Sequence, residues 1–196
     1  MPFRFVSQPL QSGLYEPEGI YLNLPYEGDG IVLQAWGLHA DHYSEFTYNG
    51  IALKGHNGVD FGVSPFTPVL AVDDGRVSEI SIDRGGFERY IKLEHHWGES
   101  LYAFIGDATV DSGQNIARGL PLGNADAVID ASTSFALLHF GIRIAPYNRF
   151  DGWGGFSNPI HYMNPSDLHF PENGEAQDLV ENPHSMVAES GQMRRP

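Results

Sequence analysis

Two stretches of this 196-residue chain hold the residue types that bind divalent metal. Gly55-His56-Asn57-Gly58-Val59-Asp60-Phe61-Gly62 sets a histidine and a carboxylate four positions apart, and Leu138-His139-Phe140 sets another imidazole in an apolar run. Neutral imidazole and carboxylate converging on one point suit Zn²⁺, which takes nitrogen and oxygen ligands in a tetrahedral shell. Gly58 permits a tight backbone between the first two. Taken singly, each residue has a plainer reading: a loop histidine bonded to a turn aspartate, and a buried strand histidine with its hydrogen bond satisfied. The chain has nine histidines and no cysteine. Disulfides and thiolate sites are therefore excluded, and any soft-metal site must be built from histidine and carboxylate. His39 and His42, three apart, read as a second metal pair or as a solvated loop. His161, His169 and His184 read as surface histidines.

The elements that must position these groups are short. Ile31–Trp36 starts as a strand. Val69–Val72 and Arg76–Ile82 flank Asp73-Asp74-Gly75, a hairpin signal. Arg89–His95 and Ser100–Ile105 alternate around a turn at Gly98-Glu99, and Ala136–Ile144 is a further strand. No long segment has helical periodicity. The expected fold is mostly β, with a loop-rich extension over residues 1–30, a body over 31–165 and an acidic, flexible tail over 166–196.

Eleven Lys and Arg against 25 Asp and Glu give a formal charge of −14, which argues against a protein that grips nucleic-acid phosphates. No run of 18 apolar residues predicts membrane insertion. The start, Met1-Pro2-Phe3-Arg4-Phe5-Val6, lacks the apolar core of a signal peptide, which leaves localisation open. Neither Gly-x-Ser-x-Gly nor a phosphate-cradling glycine loop with Lys is present.

Further motifs follow in order: Leu33-Gln34-Ala35-Trp36-Gly37 upstream, then Thr67–Val77, Leu93-Glu94-His95, Leu101-Tyr102-Ala103 and Asn158-Pro159-Ile160-His161-Tyr162. With the two metal-type stretches, this series resembles the lysostaphin/LytM-type zinc metallopeptidases, the murein endopeptidases, over residues 31–163. The resemblance implies an antiparallel folded sheet with an open groove. It implies zinc held by His56, Asp60 and His139, with one position left for water. His95 matches a recurrent strand histidine with a structural or supporting role, and Tyr102 and Tyr43 are candidates for the substrate groove. An extracellular or cell-envelope setting is also implied, with peptidoglycan stem or crosslink peptides, or a protein, as the partner.

The sequence departs from the family where its two non-ligand histidines belong: Phe104 and Leu137 stand there. Leu137 and His139 share a strand face, so Leu137 should point at the metal cleft, and Phe104 should do so from a neighbouring strand. Neither can shuttle a proton or donate to an oxyanion. General acid–base help is worth roughly 10²–10⁴-fold and an oxyanion donor about 10²–10³-fold. Asp107 is a candidate substitute base, with Asp126 and Asp130 behind it. The segment from Asn124 to Phe135 lacks the family's glycines, which predicts a differently shaped groove wall. Three functions are compatible: a binding or regulatory module with reduced catalysis, an endopeptidase with a substituted base, and a zinc-stabilised structural module. Oligomeric state is not legible.

Overall fold

The computed structural model describes residues 19–84, 86–126 and 135–171. The acidic run beyond residue 171, Asp130 and most of the glycine-free segment lie outside the described residues. Twelve strands occur among those described: β1 (Gly30–Gln34), β2 (Thr47–Tyr48), β3 (Ile51–Ala52), β4 (Val59–Val63), β5 (Pro68–Leu70), β6 (Gly75–Asp83), β7 (Glu88–His95), β8 (Gly98–Ala103), β9 (Ile105–Ala108), β10 (Asn115–Ile116), β11 (Pro121–Ala125) and β12 (Ala136–Ile144). Seven form one sheet in the order β1-β4-β12-β8-β7-β6-β10, three form a second in the order β5-β11-β9, and β2 pairs with β3. Every strand pairing is antiparallel. The mostly β, antiparallel expectation is borne out.

β12 lies between β4 and β8 and is buried along nearly its whole length. Its period of two divides its residues between the sheet's faces. Leu138, Phe140 and Ile142 join the main core with Val59, Phe61, Ile91, Leu93 and Tyr102. Leu137 joins a smaller apolar cluster with Leu33, Leu101, Ala103, Phe104 and Phe156. His139 and Arg143 share the odd-numbered face with Leu137.

One hairpin expectation fails. The segments flanking Asp73-Asp74-Gly75 do not pair: β5 runs beside β11 and β6 beside β7. The Asp-Gly corner carries the chain from the small sheet to the large one. Asp73 holds this corner, accepting from Trp97 Nε1 at 2.9 Å and Arg118 Nε at 3.0 Å. Burial alone would raise the Asp73 carboxyl, but these bonds and the Arg118 charge hold it below its usual range. Gly75 serves close approach rather than turn geometry, since a Cβ there would meet His95 Nδ1 at 2.7 Å and the Glu94 carbonyl at 2.8 Å. The β7–β8 turn falls on His96-Trp97, two residues before the expected position.

Candidate metal centre

Sheet register assembles the centre. Asp60 on β4 pairs with His139 on β12 and Gln34 on β1. His56 precedes β4 and is tied by its backbone, its N–H donating to the Leu38 carbonyl at 3.0 Å and its carbonyl accepting from Gly37 at 2.9 Å. All three functional side chains are fully buried. Among the described residues, they form the one group of three or more metal-ligating side chains close enough to share an ion.

The facing atoms are His56 Nε2, His139 Nδ1 and Asp60 Oδ1. The two nitrogens lie 3.2 Å apart, and the carboxylate oxygen is 3.2 Å from His56 and 2.7 Å from His139. Ligands at 2.0–2.1 Å around tetrahedral zinc stand about 3.3 Å from one another, so this triangle needs little adjustment. His56 Nδ1 donates to the Ala35 carbonyl at 3.1 Å, leaving the Nε2 lone pair directed at the other two, the tautomer a metal requires. Without a metal, burial would raise the Asp60 carboxyl, but a protonated His56 and hydrogen bonds from both imidazoles, whose facing protons a metal would displace, hold it well below the carboxylate range. Burial lowers the His139 imidazole despite Asp60. An ionised carboxylate beside two imidazoles, out of water, is a donor set that fits zinc.

Gly58 matters through space rather than turn geometry. A Cβ at this position would meet His139 Nε2 and the Phe140 carbonyl, each at 2.7 Å. Gly58→Ala should therefore cost about 3 kcal/mol of stability and weaken zinc binding, as read by urea unfolding and zinc titration. An alanine variant with wild-type stability and affinity would show that His139 has room to retreat.

The surroundings are apolar. The Phe87 ring lies 5.2 Å from the His139 ring, and the Phe87 carbonyl accepts from the Phe104 N–H at 3.2 Å. Phe104 reaches the Leu137 side of the sheet by leaving strand geometry. Its φ is 63°, a left-handed conformation that costs a non-glycine residue roughly 1–2 kcal/mol. Simple alternation would have placed it with Tyr102 on the main-core face. Phe104 and Leu137 therefore share one buried apolar cluster.

Other residues singled out by the motifs sit elsewhere or act differently. Tyr102 is fully buried in the main core, and its hydroxyl accepts from the Val72 N–H at 2.9 Å and from Ser100 at 3.2 Å, so it is not a groove residue. Tyr43 is also buried, its ring 5.5 Å from His56 and its hydroxyl 3.3 Å from Gln34 Oε1. It backs the centre instead of lining a groove. His95 binds the Asp74 carbonyl at 2.8 Å and Ser100 Oγ at 2.7 Å and stacks on Trp97, at the opposite end of β7 from Tyr90, the residue level with His139. The Asp107 side chain is 91% exposed and lies 3.6 Å from Arg89, which is no position for a base acting on the centre. Asp126 is exposed. His39 is exposed at the start of the short helix α1 (Ala40–Tyr43), which carries His42.

The Peptidase family M23 model matches residues 54–151, half of the chain. This chain belongs to Peptidase family M23. A Haemophilus influenzae protein described as an uncharacterized metalloprotease is 37% identical over 68 residues, which are 34% of this chain and 14% of that protein. The chain thus spans a small part of that relative. Among solved structures, Staphylococcus simulans lysostaphin, an antimicrobial peptidase, aligns with a TM-score of 0.52 at 16% identity, covering 78% of this chain and 61% of that one. The SpoIIQ–SpoIIIAH pore forming complex contains a chain that aligns at 0.54 and 19% identity, covering 74% and 92%. These likenesses show the fold, and together with the family match they bear out the lysostaphin-type resemblance.

Ala35, Gly37, Leu38 and Phe87 complete the centre, yet sequence reasoning missed them. The first three act through backbone atoms, which carry no residue-type signal. Phe87 lies far from His56 and His139 in sequence, and only the β6–β7 turn brings it over the imidazole.

Proposed function

We propose that this M23 domain holds zinc at His56, Asp60 and His139 and binds peptides, of the peptidoglycan stem or crosslink kind, with strongly reduced hydrolysis. The observation that carries this is the pairing of Phe104 and Leu137 in one apolar cluster, which Phe87 joins to the His139 ring; the resemblance puts two proton-handling histidines at these positions. Zinc bound here would polarise a peptide carbonyl and acidify a water. The chain's own contribution to proton transfer is missing on that side, and Asp107, exposed and engaged with Arg89, does not supply it. Loss of both histidines should lower turnover at least about a thousandfold. A fold of this kind also occurs within a complex of two proteins, SpoIIQ–SpoIIIAH, which suits a binding role.

Incubation of the zinc-loaded protein with muropeptides, followed by mass spectrometry and by calorimetric binding, tests the reading. Binding without cleavage is the expected result. Chelator-sensitive turnover at rates typical of zinc endopeptidases would overturn it. Full burial of the three metal-facing side chains favours a second reading, in which zinc only ties β4 to β12. Muropeptides that fail to bind a folded, zinc-loaded protein would select that one.

A further inference from the structure

Next to the metal centre lies a pocket of about 230 Å³, between the β2–β3 hairpin and the turn joining β6 to β7. A water takes roughly 30 Å³, so the space admits a long side chain. Tyr48, Asn57, Asp83, Phe87, Tyr90 and Lys92 line it. Phe87 is the shared wall, touching the pocket and the His139 ring alike. The Phe87 and Tyr90 rings stand 6.2 Å apart at 72°, two walls of a corner. Tyr90 is fixed by a 2.6 Å hydrogen bond to Glu79, and Tyr48 accepts from Arg143 at 2.6 Å.

From this geometry we infer that the pocket binds the ammonium-bearing side chain of a peptide, with Asp83 as its counter-ion and the aromatic corner around its apolar stem. The inference rests on the peptide-binding reading above. Aromatic faces attract cations through the ring quadrupole, and the Tyr90 face already does so within this molecule: Lys92 Nζ lies 5.0 Å from its centroid. That lysine's charge also reaches Asp83, but its ammonium is bound by Glu79 at 2.7 Å and leaves the Asp83 carboxylate free of an ion pair. Asp83 takes the Phe87 N–H, and among the described residues no Lys or Arg forms an ion pair with it. Burial, aided by the Glu88 charge, pushes its carboxyl upward against the Phe87 bond and the Lys92 charge. Tyr90 is raised to about 12 by burial, by its bond to Glu79 and by the charges of Glu79 and Asp83. The two cations beside the pocket are already committed, Lys92 to Glu79 and Arg143 to Glu99, so Asp83 is the carboxylate placed to meet a ligand's charge.

The test is calorimetry on the full chain with two capped tripeptides, acetyl-Gly-Lys-Gly-amide and its norleucine counterpart, which has the stem without the charge. The lysine peptide should bind about tenfold tighter at low salt, with the difference shrinking as salt rises. Asp83→Asn keeps an oxygen for the Phe87 N–H and should bring the lysine peptide down to the norleucine level. Lys92→Gln removes the competing cation and should tighten the lysine peptide severalfold, a gain that misfolding cannot imitate. Equal affinity for the two peptides, or an Asp83→Asn variant that still tells them apart, overturns the inference. Muropeptide binding run in parallel separates the outcomes. If muropeptides bind and the two peptides are not distinguished, the pocket assignment fails alone; if nothing binds, the binding-module reading fails with it.

Discussion

Replacing Arg143 with alanine should destabilise the domain by about 3–5 kcal/mol, the range for removing one partner of a buried ion pair. Arg143 sits on β12, four residues beyond His139, with its side chain wholly buried. It pairs with Glu99, donates from Nε to the Gly154 carbonyl at 2.9 Å and from Nη2 to the Tyr48 hydroxyl at 2.6 Å. Its guanidinium carbon lies 3.8 Å from the Phe156 ring centroid. One side chain therefore ties the central strand to the glycine-aromatic loop before Asn158 and to the β2–β3 hairpin. Truncation removes these bonds together, leaves the Gly154 carbonyl without this donor and opens a void against Phe156. Lysine should not rescue it, since a single ammonium cannot reproduce three bonds in a planar fork. Glu99→Gln should cost less, because the Glu99 side chain is partly exposed. Urea unfolding of the three variants checks the order. An Arg143→Ala loss under 1 kcal/mol would mean that the loop and hairpin are held by other contacts. Because Arg143 positions Tyr48, the alanine variant should also weaken the lysine tripeptide.

The second large effect concerns zinc. A ligand that binds only the folded state at a thousandfold its dissociation constant adds about 4 kcal/mol of stability. For a domain of this size that corresponds to a rise in Tm on the order of 10 °C. The gain should be large here because the donors are already assembled. Three atoms stand 2.7–3.2 Å apart, the Ala35 carbonyl fixes the His56 tautomer, and strand register holds Asp60 against His139. Little ordering remains for the metal to impose. Thermal unfolding with zinc and with chelator, on wild type and His139→Ala, measures the linkage. The wild type should respond and the variant should not. A wild-type Tm indifferent to both additions would remove the metal assignment and, with it, the structural reading.

Much of this could be read in the chain. His56, Asp60 and His139 were legible because metal chemistry needs particular side chains, and residue type survives in a linear sequence. That Phe104 and Leu137 stand where the resemblance implies histidines was legible only through the resemblance, because apolar residues carry no chemistry of their own to flag them. β12 was legible because nine mostly apolar residues with strand propensity admit few alternatives. β4 was harder: Val59–Val63 lies inside the metal motif and contains Asp60 and Gly62, so its polar and glycine positions masked a strand buried throughout. The Asp-Gly corner misled for a related reason. The dipeptide permits a tight turn, but whether the flanking strands pair depends on which other strands compete for them, and here β11 and β7 take those places.

The aromatic residues mark the boundary most clearly. Tyr102 and Tyr43 had the composition of groove residues, and both are buried, one capping the Val72 N–H and the other packed on His56. Phe87 carried no signal and yet covers the His139 ring while walling the pocket. A ring suits a core, a cleft or a turn equally well, so its type does not say which surface it meets. The sequence by itself determined the three candidate metal-ligating side chains, the apolar residues at 104 and 137 and the β class, since each depends on side-chain type or local periodicity. Only the tertiary structure decided which aromatic faces the centre, that Arg143 joins three elements, and that Asp83 stands at an aromatic corner, because each depends on strand register and on turns that bring distant residues within a few ångströms.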